Sequence, residues 1–445
     1  MFKDLLAWAK RDNRKPLILR GARQVGKSTS VKLLAEALNL KLVTLDFERF
    51  PALANLFTSN DPYAITQLIS LQTNQSIKAG EALLFLDEIQ AAPKILATLR
   101  YFYEEMPELH IVCAGSLLEF ALEEMQFSMP VGRIEYMYLG PMSFEEFLVA
   151  INEKRLCDFL NKYSLGDPYP TSIHEKLLQL LKIYMIVGGM PEAVRHYADN
   201  RDFMEVERTK NTIISTYKDD FSKYAKDKDE LRLREVFEKI SLSIACKVQY
   251  SKINPNVRSA VIANALHKLS LARVLYLVQH TACNGIPLGA EINEKIFKLT
   301  FLDVGLLSTQ LQLSFLDLNT IDELNFVNSG VMAEQFVGQH LLYDHLSYET
   351  PSLYYWQREK QSSQAEVDYV ISERQHIIPI EVKAGKTGRL RSLHLFLQEK
   401  QLPLGVRFCS QIAAVTEKTD QQPYKILSLP LYLIGQIRRL ASSEQ

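Results

Sequence analysis

Residues 21 to 28 have the types and spacing of a phosphate-binding loop. They read Gly-Ala-Arg-Gln-Val-Gly-Lys-Ser, between an apolar run at 17–19 and a helical pattern at 28–38. Glycine allows the tight turn in which backbone N–H groups face phosphates. Lys27 would reach the β and γ phosphates, and the Ser28 hydroxyl would ligate Mg²⁺. The loop predicts a site for ATP and Mg²⁺, with a structural Gly-rich turn as the alternative. The predicted nucleotide-binding residues are Gly21, Ala22, Arg23, Gln24, Val25, Gly26, Lys27, Ser28 and Thr29.

Two adjacent acids supply the groups that hydrolysis would need. Asp87 and Glu88 follow the apolar run Leu-Leu-Phe-Leu at 83–86, and α/β sheets bind ligands at the carboxyl ends of their strands. Asp87 is predicted to hold Mg²⁺ together with Ser28, and Glu88 to act as general base on the attacking water. The alternative is that both acids begin a solvated loop.

Two further residues are candidates for the same site. Ser116 follows the apolar stretch 110–114 and could sense the γ-phosphate from a neighbouring strand. Arg133 precedes the strand-like run 134–139. It could stabilise transition-state charge in cis or from another subunit, or be an ordinary surface arginine.

A second constellation of charged residues lies near the C-terminus. Glu334 falls in a helical pattern, Asp368 in a strand pattern at 365–371, and Glu381 and Lys383 in a returning strand at 377–383. A turn near Glu373 would make these strands a hairpin and bring Asp368 close to Glu381. Glu381 and Lys383 would share one strand face, because side chains repeat every second residue.

Carboxylates beside a lysine suit metal-assisted phosphodiester hydrolysis. Glu334, Asp368 and Glu381 are predicted metal ligands. Asp368, Glu381 and Lys383 are the predicted catalytic residues. Buried ion pairing among the four residues is the alternative. Other residues that could contact nucleic acid are Lys386, Arg389 and Arg391 on phosphates and Trp356 on a base, although a place in the core suits Trp356 better.

The elements that position these residues follow from hydrophobic periodicity. Strand candidates at 17–20, 40–47, 82–86 and 110–114 alternate with helical stretches, which predicts a parallel sheet with crossover helices. A helical region follows and is interrupted by Gly188-Gly189-Met190-Pro191. Residues 229–305 then read as three helices and a β-ribbon. This pattern resembles a winged helix, in which Arg258, His267, Lys268 and Arg273 could touch DNA phosphates; an interdomain adaptor is the alternative.

Composition limits the class of protein. The chain has 445 residues, 47% hydrophobic residues and a net charge of −1. Two to three folded domains are therefore expected, without an overall nucleic-acid-binding charge. Five scattered cysteines without a C-x-x-C pair indicate a reducing compartment. We expect a cytoplasmic protein without membrane association, and a homo-oligomer is one possibility.

Several segments together resemble one protein family. The segments GARQVGKST, LLFLDEIQAAP, AGS, PVGRIEYMYLGPMSFEEF and GGMPEAV are similar to a prokaryotic branch of AAA-type ATPases that carries a C-terminal domain of unknown function. The resemblance implies the roles given above for Lys27, Ser28, Asp87, Glu88 and Ser116. It also implies a helical lid after the ATPase domain. Leu117 stands where the family has a second small polar residue.

The order Asp…Glu-x-Lys after a Glu-bearing helix resembles the PD-(D/E)xK nucleases, with Val367 in place of the proline before Asp368. We therefore expect an α/β protein with a P-loop AAA-type domain at 1–150, a helical lid at 151–228, a winged-helix-like domain at 229–325 and a restriction-endonuclease-like domain at 326–445. The predicted function is ATP hydrolysis by a protein that acts on or senses DNA. The alternative is a nucleotide-dependent signalling or scaffold protein whose nuclease-like domain binds without cleaving.

Overall fold

The structure is a computed structural model. It describes residues 1–124, 129–130, 132–225, 228–313, 330–344, 346–358, 365–383, 390–419 and 422–444. The described residues form two compact units. Unit 1 comprises Met1–Gly140, Leu271–Arg273 and the described part of His345–Pro351. Unit 2 comprises the described parts of Pro141–Ser270, Val274–Asp344 and Ser352–Gln445. Lys386 and Arg389 lie outside the described residues.

Unit 1 is built on a parallel sheet. Its strands are β1 Leu17–Arg20, β2 Lys41–Asp46, β3 Ala82–Asp87, β4 His110–Ala114 and β5 Glu135–Tyr138. In the described part of the chain these five strands form one sheet in the order β2-β3-β4-β1-β5, and every pairing is parallel. The carboxyl ends of the strands therefore meet at one edge. The predicted strand positions are confirmed to within about two residues.

Helices cover both faces of this sheet because its strands are apolar on both faces. Ile18, Leu84 and Ile111 pack into one core, whereas Leu17, Leu83 and Val112 pack into the other. Side chains that alternate between two buried faces require cover on each side. The helices of unit 1 are α1 Phe2–Ala9, α2 Lys27–Ala37, α3 Pro62–Thr73, α4 Leu99–Glu105 and α5 Leu118–Glu124.

Unit 2 contains a mixed sheet. Its strands are β6 Leu275–Thr281, β7 Ile292–Phe301, β8 Leu353–Gln357, β9 Glu366–Glu373, β10 His376–Val382, β11 Leu404–Cys409, β12 Ala414–Lys418 and β13 Tyr424–Pro430. Among the residues that the structure describes, these eight strands pair in the order β12-β13-β11-β10-β9-β8-β6-β7. The predicted hairpin is confirmed, since β9 and β10 pair antiparallel around a turn in which Arg374 has φ 54°.

Helices make up the rest of unit 2. They are α6 Phe144–Ala150, α7 Lys154–Lys162, α8 Thr171–Val187, α9 Pro191–Asn200, α10 Phe203–Tyr224, α11 Lys228–Lys239, α12 Tyr250–Ile253, α13 Ser259–Leu271, α14 Val304–Gln310, α15 Gly330–Tyr343, α16 Arg391–Lys400 and α17 Ile437–Ser442. Helix α15 contacts β7, β8 and β10, and α16 contacts β9, β10 and β11. These two helices therefore cover the strands that carry the C-terminal constellation.

The predicted Gly-Gly-x-Pro turn ends one helix and begins the next, between α8 and α9. It also contacts a buried carboxylate. Asp303 accepts hydrogen bonds from the backbone N–H groups of Gly189, at 2.7 Å, and Leu306, at 3.0 Å. A Cβ on Gly188 would lie 2.2 Å from Asp303 Oδ1, so only glycine fits there. The turn and α14 are therefore held together inside unit 2.

The predicted ribbon at 275–301 forms, but it is not a free-standing wing. Strand β6 pairs in parallel with β8, with Val278 opposite Leu353. The ribbon is thus part of the same sheet as the predicted C-terminal domain, and a boundary at residue 325 does not separate two sheets. Local periodicity identifies strands but does not reveal a partner far away in the chain. The first segment of unit 1 ends at Gly140, and the domain boundaries expected at residues 150, 228 and 325 stay predictions.

Candidate functional site

The phosphate-binding loop connects β1 to α2, as the sequence predicts. Gly26 precedes α2 with φ 98°, and Gln24 has φ 62°, so the chain turns sharply before the helix. A left-handed backbone conformation is accessible to glycine without steric cost. A Cβ on Gly21 would lie 2.2 Å from the Leu139 carbonyl oxygen, so the loop also needs glycine where it passes β5. This geometry places Lys27 and Ser28 in the first turn of α2.

The loop has the groups that a polyphosphate requires. Within the described residues, the backbone N–H groups of Gln24, Val25 and Gly26 donate no hydrogen bond. The Lys27 ammonium donates to the carbonyl oxygens of Gly21, at 2.9 Å, and Ala22, at 2.7 Å. Burial lowers the pKa of Lys27 to about 8, although the carboxylates of Glu88 and Asp87 oppose this shift. The donors and the buried cation fit a phosphate chain.

Ser28 and Asp87 lie together at the end of β3. The Ser28 hydroxyl donates to Asp87 Oδ2 over 2.9 Å. Burial raises the pKa of Asp87, and the Ser28 hydrogen bond partly offsets that effect. One hydroxyl and one carboxylate oxygen in contact are the hard ligands that Mg²⁺ takes beside a nucleotide. The predicted pair therefore fits the predicted cation.

Glu88 is held by a residue that sequence reasoning did not single out. The Gln90 amide donates to Glu88 Oε2 over 2.6 Å, and Glu88 itself has φ 51°. The Gln90 carbonyl oxygen Oε1 is buried without a hydrogen-bond partner among the described residues. A polar side chain two residues after the predicted base was the signal in the sequence. Gln90 fixes the direction in which the Glu88 carboxylate points.

Ser116 lies just beyond the carboxyl end of β4, the strand between β3 and β1. It is 4% exposed, and its hydroxyl oxygen has no hydrogen-bond partner in the described part of the chain. A buried hydroxyl without a partner is costly unless a ligand or water satisfies it. This position agrees with the sensing role expected from the sequence, which the structure does not test.

Arg133 lies at the edge of the sheet opposite the phosphate loop, and this position disfavours the predicted role in cis. Strands β1 and β5 run parallel, with Leu17 opposite Glu135. Arg133 precedes the amino end of β5, whereas the phosphate loop follows the carboxyl end of β1. The Arg133 guanidinium forms an ion pair with Glu104, with Nε 2.8 Å from Oε1. A role towards another copy of the chain stays a prediction.

Arg273 is a member of unit 1 rather than an exposed DNA contact. Its guanidinium donates to Glu119 Oε1 over 2.8 Å and lies 4.9 Å from the Tyr138 ring centroid. Arg20, at the end of β1, pairs with the same Glu119 carboxylate at 3.4 Å. The Arg273 charge also lowers the pKa of Lys27 slightly. Only the tertiary fold could place residue 273 beside a loop at residue 21.

The C-terminal constellation forms in unit 2 around Lys298, a residue of strand β7 that the sequence does not single out. Lys298 Nζ lies 2.5 Å from Glu334 Oε1, 3.0 Å from Glu366 Oε1 and 3.9 Å from Asp368 Oδ1. Its side chain is 1% exposed. Burial alone would lower the pKa of Lys298, but the attraction of Glu334, Asp368 and Glu366 outweighs it and raises the pKa well above the ordinary value. Lys298 is therefore charged.

The hairpin brings Asp368 and Glu381 close together, as predicted. Asp368 Oδ2 accepts a hydrogen bond of 2.7 Å from the backbone N–H of Val382. Lys383 forms an ion pair with Glu381. Burial raises the pKa of Glu381, and the nearby Asp368 charge adds to this. We call Glu334, Glu366, Asp368 and Glu381, with Lys298 and Lys383, the acidic cluster.

The acidic cluster does not fit the predicted metal. In the described part of the chain, no group of three or more His, Cys, Asp or Glu side chains could hold a metal ion. The Lys298 ammonium lies between Glu334 and Asp368, two of the three predicted ligands. The metal-ligand prediction for Glu334, Asp368 and Glu381 is therefore not supported, and the buried ion pairing considered as its alternative is what the structure contains.

The remaining DNA-contact candidates differ in exposure. Arg258 and His267 are exposed, Lys268 is half-buried, and Arg391 is exposed on α16. Trp356 is 4% exposed and packs edge-on against Phe396, with ring centroids 4.8 Å apart. The tryptophan is thus a core residue and not a base-stacking platform. No helix in the described ranges combines the length and apolarity needed to cross a membrane.

Comparison with known families agrees with the geometry of unit 1. Residues 13–148 match the AAA domain family. Together with the parallel sheet and the phosphate loop, this match identifies an AAA-type ATPase domain that binds ATP. Residues 178–317 match a domain of unknown function (DUF8612), and residues 329–432 match another (DUF4143). Neither match gives the C-terminal part an activity.

Similarity to individual proteins is distant. No curated protein matches the chain significantly. Solved structures that are similar include Caenorhabditis elegans PCH-2, with 12% identity over 45% of this chain and a TM-score of 0.28. The chain spans 62% of the length of that protein. The Thermotoga maritima RuvB Holliday junction branch migration motor matches at 14% identity over 66% of this chain and 91% of its own, with a TM-score of 0.30.

DnaA from Aquifex aeolicus, solved with bound AMPPCP, matches at 12% identity over 61% of this chain and 86% of its own, with a TM-score of 0.28. Scores this low carry no argument about fold or function. The class of unit 1 therefore rests on its own sheet order, its phosphate loop and the family match.

Proposed function

We propose that unit 1 hydrolyses ATP with Mg²⁺ and that unit 2 uses its nuclease-like fold to engage DNA without cleaving it. The observation that carries the first part is the Ser28–Asp87 contact beside the buried Lys27 ammonium. A phosphate loop alone supports binding. A cation site with a general base next to it supports hydrolysis.

Each residue of the loop has a distinct role in this proposal. The backbone N–H groups of 22–28 surround the phosphates, and Lys27 exchanges its two carbonyl acceptors for phosphate oxygens. Ser28 and Asp87 would hold Mg²⁺, which would supply positive charge against the phosphates. Loss of the carbonyl contacts costs little because charged phosphate oxygens accept stronger hydrogen bonds.

In this proposal Glu88 acts on the attacking water, Gln90 on the Glu88 carboxylate and Ser116 on the γ-phosphate. Glu88 accepts a proton from the attacking water, and Gln90 holds that carboxylate in place through the 2.6 Å hydrogen bond. The Ser116 hydroxyl donates to the γ-phosphate. Arg133 would contribute only from a neighbouring subunit of a homo-oligomer, where arginine stabilises transition-state charge.

The test of hydrolysis is phosphate release by the full-length protein. Lys27→Ala and Glu88→Gln should each lower turnover by about 100-fold or more. Glu88→Gln should still bind ATP. Lys32→Ala is the matched control, because Lys32 is exposed on the same helix. Full turnover in Lys27→Ala would rule out this site as the source of hydrolysis.

The inference for unit 2 is supported by two features. The order of Glu334, Asp368, Glu381 and Lys383, now seen on one helix and one hairpin, resembles the PD-(D/E)xK nucleases. The Lys298 ammonium lies among these carboxylates and argues against metal-assisted cleavage. A nucleotide-dependent signalling or scaffold role without DNA is the second candidate, and the net charge of −1 favours it.

Fluorescence anisotropy with linear and branched DNA, with and without ATP, distinguishes the candidates. We expect binding without product formation in Mg²⁺ or Mn²⁺. Cleavage that disappears in Asp368→Ala would overturn the non-cleaving assignment. Absence of binding to every DNA, in a protein that hydrolyses ATP, would favour the signalling or scaffold role.

A further inference from the structure

The acidic cluster contains an internal cation where a nuclease would hold a divalent ion. Three carboxylates from two elements, Glu334 of α15 and Glu366 and Asp368 of β9, converge on one ammonium nitrogen at 2.5, 3.0 and 3.9 Å. We propose that the Lys298 ammonium takes the place of a metal ion, so that the nuclease-like part of unit 2 works without metal. This inference rests on the nuclease-like assignment of unit 2 and is independent of ATP hydrolysis.

The contact distances explain why a metal ion and this lysine exclude each other. Mg²⁺ binds oxygen ligands at about 2.0–2.1 Å and prefers octahedral geometry. An ion bridging Glu334 and Asp368 would occupy the space that the Lys298 nitrogen fills. Both cannot be present, because two cations at that separation would repel strongly in a buried site.

Lys298 cannot easily leave the cluster. Its strand β7 lies under α15, and the residues around it on the strand, Phe297 and Leu299, are buried. The ammonium lies 5.2 Å from the Tyr355 ring centroid and 5.7 Å from that of Tyr369. Aromatic faces attract cations, so both rings add to the attraction of the carboxylates. A rotamer that reached solvent would lose all of these contacts.

Each carboxylate of the cluster already has a lysine partner. Lys298 contacts Glu334, Glu366 and Asp368, and Lys383 pairs with Glu381. Glu381 Oε2 is buried without a hydrogen-bond partner within the described residues.

The experiment is a Mn²⁺ titration of the full-length protein without nucleotide, with free Mn²⁺ measured by electron paramagnetic resonance. All proteins carry Asp87→Asn, so that the phosphate-loop site does not contribute. We compare the Lys298 parent and Lys298→Met, each with and without Asp368→Asn. Lys295→Met is the matched control, because Lys295 is exposed on the same strand.

We expect Lys298→Met to bind one Mn²⁺ at least about 10-fold more tightly than the parent, and Asp368→Asn to remove that binding. Lys295→Met should behave as the parent. The inference is overturned if the parent binds Mn²⁺ as tightly as Lys298→Met and loses it with Asp368→Asn. It is equally overturned if folded Lys298→Met binds no Mn²⁺.

Loss of folding in Lys298→Met has its own readout. Unfolding curves with and without Mn²⁺ should show rescue of Lys298→Met by the metal and no effect on the parent. If Lys298→Met stays unfolded with Mn²⁺, the titration of the parent alone tests the inference. Mn²⁺ binding to the parent that Asp368→Asn removes would contradict the inference, and no Mn²⁺ binding to the parent would support it. Phosphate release by protein with intact Asp87 is measured separately, so failure of the ATPase proposal is recognised independently.

Discussion

Lys27 and Lys298 are both buried lysines beside carboxylates, and they are held in opposite ways. Lys27 donates to two neutral backbone carbonyl groups, and burial lowers its pKa to about 8. Lys298 contacts the side chains of Glu334 and Glu366, and their charges raise its pKa well above the ordinary value. The first lysine is available for an incoming anion, whereas the second is already neutralised by the protein.

The difference shows how two similar constellations diverge in chemistry. A lysine on carbonyl groups gains energy when phosphate oxygens replace them, because hydrogen bonds between charged groups are stronger. A lysine inside a carboxylate cage gains nothing from a further anion and prevents a cation from entering. The contacts of Lys27 in unit 1 therefore favour exchange for a ligand, whereas the ion pairs of the acidic cluster in unit 2 favour staying as they are.

The largest expected effect that separates the two lysines is on stability. Lys298→Met should lower the free energy of unfolding by about 3–5 kcal/mol, because it leaves buried carboxylates without a cation. Lys27→Met should change it by less than about 1.5 kcal/mol, since its acceptors are neutral. Urea unfolding of both variants and of Lys295→Met as the exposed control provides the measurement. Equal losses of unfolding free energy in Lys27→Met and Lys298→Met would show that the two lysines are not held in different ways.

Gly21→Ala tests whether the shape of the phosphate loop matters as much as its lysine. The added Cβ would lie 2.2 Å from the Leu139 carbonyl oxygen, so the loop must shift. We expect a cost of about 1–3 kcal/mol in unfolding free energy and weaker ATP binding by calorimetry. Gly285→Ala is the control, because a Cβ there meets no atom within 4 Å. Unchanged ATP affinity in Gly21→Ala would show that the loop tolerates movement.

The opposite pKa shifts predict opposite pH dependences. Unfolded Lys27, with an ordinary pKa of 10.5, holds its proton more tightly than the folded form at about 8. Stability should therefore rise between about pH 8 and 10.5 relative to Lys27→Met, by up to about 3 kcal/mol. The Lys298 ammonium is protonated in both the folded and the unfolded chain below its unfolded pKa of 10.5, so its own titration adds no slope from about pH 7 to 9.5. Melting curves across this range, for wild type and both methionine variants, measure the two slopes.

The smallest effect is expected for Arg133. Its ion pair with Glu104 is open to solvent, and such pairs add little to stability. Arg133→Ala should leave stability and turnover of dilute protein unchanged. A fall in turnover that depends on protein concentration would support the role in another subunit. A fall at every concentration would contradict the placement of Arg133 at the far edge of the sheet.

Local patterns in the sequence were sufficient for much of the fold and for one site. Strand ends, the phosphate loop, the Gly-Gly-x-Pro turn and the β9–β10 hairpin all follow from periodicity, glycine and proline over a few neighbouring residues. Ser28 and Asp87 were predictable as a pair because parallel strands bring their carboxyl ends to one edge. The sequence also indicated that Asp368 and Glu381 would meet across a hairpin.

Other features depended on partners distant in the chain. The pairing of β6 with β8, the place of Arg273 in unit 1 and the location of Arg133 opposite the loop are decided by strand order and packing. Nothing near Lys298 in the sequence predicts that this lysine is buried, so periodicity identifies it only as a charged residue of the ribbon. Its three carboxylate partners come from residues 334, 366 and 368.

The sequence by itself thus determined the ATP-binding loop and its acidic partners, since these act through local geometry. Only the tertiary structure decided the chemistry of the C-terminal constellation. A carboxylate binds a metal or a lysine according to what the fold places against it, and burial then fixes that choice by making an unpaired charge costly.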